Sequence, residues 1–153
     1  MSTATAEIRD VVNSLIEVCH DGELGFAAAS TAVSADEPLL KSELLQYSRQ
    51  RREFSADLEG ELQRMGEEPV THGTVSGALH RGWMNLKQAI AANDRHSILA
   101  ECERGEDAAV SSYRQAMAAA LPGPIGDLVS TQFQAVKRVH DRVRALRDAA
   151  RIN

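Results

Sequence analysis

Four residues combine the charge and spacing that build a site inside a helical bundle: Glu23, Arg51, Glu106 and His140. Each interrupts the apolar stripe of a different helical stretch. Two glutamates and a histidine can hold one divalent ion once the carboxylates are ionised and the imidazole is neutral. Arg51 changes that chemistry, because a guanidinium stays protonated, repels a metal ion and is shaped to bridge carboxylates. The expectation is a buried Glu23–Arg51–Glu106 network, with His140 at its edge and the arginine in the place of a metal cation. Under the metal-binding alternative, Glu23, Glu106 and His140 are the ligands and iron or manganese is the cofactor; otherwise no cofactor is expected. Either way two acids on core stripes need a cation between them, since an unpartnered buried carboxylate costs several kcal/mol.

The elements that must position these residues are helices punctuated by proline. Pro38, Pro69, Pro122 and Pro124 all fall where apolar periodicity stops, and proline breaks helix interiors. The first helix is expected from about Thr5 to Ser34, with Val12, Ile16, Cys19, Phe26 and Val33 on one face. A break at Asp21-Gly22 is its alternative. The second runs from about Pro38 to Met65 and carries Leu40, Leu44, Tyr47, Phe54, Leu58 and Met65. An irregular connection over 66–77 leads to a short helix near Val75 to Ala91, with Trp83, Leu86 and Ile90 on its apolar side. The third long helix spans about Asp94 to Leu121. The last spans about Ile125 to Ala150, where Gln132 is the single polar member of a near-continuous valine and leucine seam. Gln132 joins the expected buried polar network as a hydrogen bond that sets helix register.

Two short joints make two antiparallel hairpins, and about 28 residues including the short helix connect them, enough to run back along the bundle. Counted from the first hairpin turn, Glu23, Arg51, Glu106 and His140 then lie about 10–13 residues in, near 15–20 Å along their helices. They share one depth only if that connection crosses over.

Several short motifs carry a resemblance. They are Asp21-Gly22-Glu23-Leu24-Gly25-Phe26 with its following alanines, Arg81-Gly82-Trp83, Glu103-Arg104-Gly105-Glu106-Asp107-Ala108 through Tyr113, and His140-Asp141. Over nearly the whole chain the sequence resembles an uncharacterised bacterial family of ferritin-like four-helix-bundle proteins. The resemblance implies an all-α, ferritin-like bundle with a short extra helix in the long crossover, as one domain over residues 1–153, and no established activity. Di-iron members of the wider superfamily place one glutamate on each of two helices and a Glu-x-x-His pair on each of the others. Here Lys137 stands three before His140, and Arg51-Arg52-Glu53-Phe54 occupies the second helix, so both pairs are broken.

Composition narrows the function classes. The 153 residues are 43% hydrophobic and 25% charged but only 4% aromatic, which suits closely packed helices. A formal charge of −5 argues against a nucleic-acid partner. The basic run from Lys137 to Arg151 is diluted by Asp141 and Asp148. No apolar run is long enough to span a membrane and no secretory signal is visible, so a cytoplasmic location is expected. Cys19 and Cys102 read as buried small hydrophobes, His20 and Asp21 as a solvated or hydrogen-bonded pair, and Trp83 as an anchor for the short helix. Gly22, Gly25 and Gly105 are expected to permit close helix approach or to leave room for a large side chain such as Arg51 or Trp83.

The leading functional expectation is a non-enzymatic bundle acting through protein contacts or stress-related assembly, with a second copy in a homodimer or another protein as its partner. A metal-dependent oxidase or iron-handling protein with altered ligands is the alternative. A small-molecule binding module beside the short helix is the third.

Overall fold

The computed structural model describes residues 3–68 and 82–151. Among them are five α-helices and no strand: α1 (Thr3–Ala32), α2 (Pro38–Arg64), α3 (Leu86–Ala92), α4 (Arg95–Ala118) and α5 (Gly123–Arg151). The protein is an all-α helical bundle. α1 is unbroken through Asp21-Gly22.

Local chemistry sets the ends. Pro38 opens α2, where its missing N–H costs nothing. Asp94 caps α4 by accepting the Ser97 N–H at 2.7 Å. Across the first hairpin, the Lys41 ammonium donates to the carbonyls of Ser30, Thr31 and Val33 at the end of α1, satisfying acceptors that have no partner within the helix. α4 stops at Ala118, short of the expected Leu121. Ala120 there takes a left-handed φ of 54°, which ends the helix before Pro122 is reached. α5 begins earlier than expected because Pro124 fits in its first turn.

The long helices form a four-sided arrangement in which α1 packs on α2 and α4, and α5 packs on α4 and α2. Cys19 meets Tyr113 while Gly25 and Gly105 share Trp83, so α1 and α4 run antiparallel. Glu43 pairs with Arg142 and the Phe54 carbonyl with Gln132, so α2 and α5 do too. α2 and α4 therefore share a diagonal and run the same way. Arg95, the first residue of α4, pairs with Glu37 at the head of α2. α4 thus starts at the end of the bundle where α2 starts, a full helix of about 40 Å for 27 residues away from where α2 ends. This is the crossover that the depth count requires.

The short helix differs from expectation. α3 has only 7 residues, Trp83 lies in the turn before it, and Ile90 is exposed while Ala89 is buried. Gly82, at φ +116° with Ala108 pressed where a side chain would start, turns the chain so that Trp83 enters the bundle independently of the α3 face. The remainder of the expected short helix lies outside the described residues.

Candidate functional site

Among the described residues the apolar core falls into two clusters. One contains Val12, Ile16, Cys19, Leu58, Leu62, Tyr113 and Val129; the other contains Phe26, Leu40, Leu44, Trp83, Leu99, Cys102 and Val143. Between them, on the α1, α2 and α4 walls, stand Gly22, Arg51 and Glu106.

Arg51 is buried in the middle of the α2 stripe, 1% exposed, and Glu106 on α4 is fully buried. The two meet across the bundle diagonal in a bidentate pair, Nη1 donating to Oε1 at 2.5 Å and Nη2 to Oε2 at 2.7 Å. Gly22 makes this possible. A β-carbon there would lie 3.1 Å from Arg51 Cγ and 3.3 Å from Nη1, so a larger residue on α1 would push the arginine off its line. Arg51 Nε donates to Gln50, and the guanidinium lies 5.5 Å from the Phe26 ring centroid, a cation–π approach. Burial works against the arginine's charge, but Glu106 outweighs it and holds the Arg51 pKa above its ordinary value.

One heptad along α4 a second polar tie joins all four long helices. Gln132 Nε2 donates to the Phe54 carbonyl at 3.2 Å, and Tyr113 Oη donates to Gln132 Oε1 at 2.7 Å. A carbonyl only accepts, so the Gln132 amide orientation is determined; the tyrosine proton is thereby committed, and the Cys19 thiol must donate to Tyr113 across their 3.1 Å contact. Burial pushes the Cys19 thiol up to about 11, raises Tyr113 well above its usual value, and raises Cys102 as well. These groups are neutral hydrogen-bond partners, not nucleophiles.

Of the five residues expected in one network, Arg51 and Glu106 meet, and Gln132 belongs to the neighbouring tie. Glu23 and His140 are placed elsewhere. The backbone of Glu23 is at the right depth, since its carbonyl accepts from Ser48 Oγ at 2.7 Å. Its carboxylate turns outward, 28% exposed, toward His20 and Arg52. His140 lies beside Asp107 at the same level, but on the outer α4–α5 seam. Its Nε2 is 2.6 Å from Asp107 and its Nδ1 3.1 Å from Asp141, while Val139 takes the inward position.

This arrangement does not fit the iron or manganese ligand set. Both Glu106 oxygens are engaged by Arg51, both His140 nitrogens face carboxylates on opposite sides of the ring, and Glu23 points to solvent. Among the described residues no three His, Cys, Asp or Glu side chains converge as an ion requires.

Two buried acids carry no place in the expected site. Asp21 is 1% exposed, which removes its reading as solvated. Glu101 is fully buried and accepts from the Asn85 N–H at 2.7 Å and from Arg104 Nε at 2.8 Å. It ties the crossover to α4. Its one visible signal is a glutamate directly before the buried Cys102, and periodicity alone puts that position at the margin of the stripe.

Trp83, 2% exposed, sits in a slot between α1 and α4. A β-carbon on either Gly25 or Gly105 would overlap its ring, and Phe26 meets it edge-on at 5.2 Å and 76°. Of the two expected uses of the three glycines, room for a large side chain is the one found: Gly22 accommodates Arg51, and Gly25 and Gly105 accommodate Trp83.

No curated protein matches the chain. The model of the family described as Domain of unknown function (DUF2383) matches residues 7–119, which takes in α1 from Glu7 onward, α2, the crossover and α4 and leaves α5 beyond the match. With most of its length covered, the chain belongs to that family.

Proposed function

We propose that this protein is a ferritin-like bundle whose metal centre has been replaced by an arginine, and that it acts through protein contacts rather than catalysis. The observation that carries this reading is the bidentate Arg51–Glu106 pair in the central layer: the cation that balances the buried carboxylate belongs to the chain itself. The antiparallel hairpins joined by a full-length crossover support the ferritin-like assignment, and the neutral, buried thiols and phenol around the pair supply no nucleophile. No described helix is long and apolar enough to cross a membrane, in keeping with a cytoplasmic protein. Assembly as a homodimer, in a stress-related setting, rests on analogy with the fold class alone.

Elemental analysis of protein purified without chelator tests the replacement. Iron, manganese and zinc are each expected well below one equivalent per chain, with no absorbance growing in on addition of ferrous iron and air. One tightly bound ion per chain would overturn the reading in favour of the iron-handling alternative. Light scattering then tests assembly: a mass of two chains is expected, and a strict monomer removes the homodimer.

A further inference from the structure

The outer face of the α4–α5 seam carries a groove of about 360 Å³, within the size range of small-molecule sites, which begins at about 300 Å³. Ser111, Arg114 and Gln115 line it from α4, at the three- and four-residue spacing that puts side chains on one helix face. Lys137 and His140 line it from α5. Val110, 8% exposed, is its apolar lining residue, and Asp107 is the one carboxylate in the lining.

That carboxylate is already answered. Asp107 only accepts, so His140 Nε2 donates to it across their 2.6 Å contact. Lys137 stands 3.3 Å from both oxygens of Asp141 with 41% of its side chain exposed, a long surface pair worth about 0–1 kcal/mol and easily exchanged for another anion. Arg95 and Arg104 on α4, and Arg142 and Arg147 on α5, are each paired with a carboxylate. Arg114 has no such partner among the described residues, and the side chains of Ser111 and Gln115 make no hydrogen bond among them. Pairing Asp107 with His140 and Asp141 with Lys137 therefore leaves Arg114 as the uncompensated charge of the groove.

Helix geometry brings these donors together. α4 and α5 run antiparallel with Asp107 level with His140, so Ser111 and Lys137 each lie about one turn from that contact and share a level. Helical side chains lean toward the N-terminus of their own helix, which carries Arg114 back toward Ser111. A free guanidinium, a loosely held ammonium, a hydroxyl and a carboxamide thus line one space in a chain whose formal charge is −5, and their local field favours an anion.

We propose that this groove binds a phosphate group, free or as the monoester of a small organic molecule. Arg114 presents a planar fork matched to two phosphate oxygens, and Lys137 adds a point charge. The Ser111 hydroxyl and the Gln115 amide donate to the remaining oxygens. Donors that arrive from two helices at several angles suit a tetrahedral anion better than a planar carboxylate. The buried Arg51–Glu106 pair takes no part, so failure of this site leaves the arginine-for-metal reading untouched, and the reverse holds too.

Calorimetry at neutral pH and fixed ionic strength tests it, with inorganic phosphate, phenyl phosphate and acetate titrated into wild type, R114Q and R144Q. Wild type is expected to bind one phosphate group per chain. R114Q weakens that binding by about tenfold, as loss of a charge-assisted hydrogen-bonding partner implies. R144Q removes the same charge from an exposed α5 position outside the groove and binds as wild type does. Tighter binding of phenyl phosphate than of inorganic phosphate identifies an ester as the ligand, and equal binding identifies the free ion; each supports the site. No saturable binding of either, an equal loss in R144Q, or acetate bound as tightly as phosphate would overturn it. In a parallel nuclear magnetic resonance titration of wild type with inorganic phosphate, the backbone amides of Ser111, Arg114, Gln115 and Lys137 are expected to shift along one saturation curve. Shifts of the same size at Arg49, exposed on α2, would mean general ion screening and would overturn the site.

Discussion

The guanidinium of Arg51 and the carboxylate of Glu106 face each other across the bundle diagonal in register for two parallel hydrogen bonds, with 1% and 0% of their side-chain surface exposed. Neighbouring helices pack through side chains, but α2 and α4 are joined through this charge pair. Arg51→Ala leaves Glu106 buried without a cation, and breaking such a pair costs about 3–5 kcal/mol. Glu106→Ala is expected to cost a similar amount. The double variant R51L/E106L, which leaves no orphaned charge, recovers most of the loss. Urea denaturation of the four proteins checks this, and a double variant as unstable as the sum of the singles would contradict it.

Tyr113 gives a second prediction. Removing its hydroxyl in Tyr113→Phe strands the Cys19 thiol and the Gln132 carbonyl oxygen inside the core, at about 1–3 kcal/mol for a buried unsatisfied polar group. In the native protein Cys19, with its pKa near 11, and Cys102 resist alkylation at neutral pH. In Tyr113→Phe alkylation tracks the increased unfolding. Counting modified thiols by mass spectrometry over time separates the two, and prompt native alkylation of wild type would refute the sealed arrangement.

Depth along the bundle was legible in the sequence because helical rise is constant: Glu23, Arg51, Glu106 and His140 do lie at one level. Rotation was not. One residue corresponds to about 100° around the helix, so periodicity separates Gly22 from Glu23, or Val139 from His140, only weakly. At position 22 the inward residue is a glycine, which carries no hydrophobic signal and is chosen for the room it leaves Arg51. Glu23 and His140 are also long enough to reach water from the edge of a stripe. The crossover was least legible, because Trp83 and Glu101 are placed by contacts between distant segments and not by any local period. On α2, the buried Ser48 and Ser55 lie where an apolar count favours Tyr47 and Phe54, which are half-buried.

The glycines make opposite predictions according to what faces them. Gly105→Ala improves helix propensity by up to about 1 kcal/mol, yet its methyl overlaps the Trp83 ring, so the net effect is a lower melting temperature and a red-shifted tryptophan emission. Gly60→Ala in α2 meets nothing within 4 Å and is expected to raise the melting temperature. Both variants change one helical glycine to alanine, so equal responses would show that propensity and not the slot decides.

His140 makes stability depend on pH with a definite sign. Burial opposes its protonation, but Asp141 and Asp107 outweigh that and hold its pKa above the ordinary 6.5. A folded-state pKa above the unfolded one means that the folded state binds the proton more tightly. The stabilisation is therefore complete below about pH 6.5 and fades as pH rises through the folded value. At the acid end it persists into the low range, because the hydrogen bond from His140 holds the Asp141 carboxyl below its usual pKa. The contact sits on the α4–α5 seam with Asp107 and Asp141 both more than half exposed, so solvent screens it and the effect is modest. Melting temperatures of wild type and His140→Gln, compared from about pH 5 to pH 9, should differ most at the acid end and converge above neutrality. A gap that is constant or widens with pH would show that His140 contributes packing alone, with no charge tie between α4 and α5.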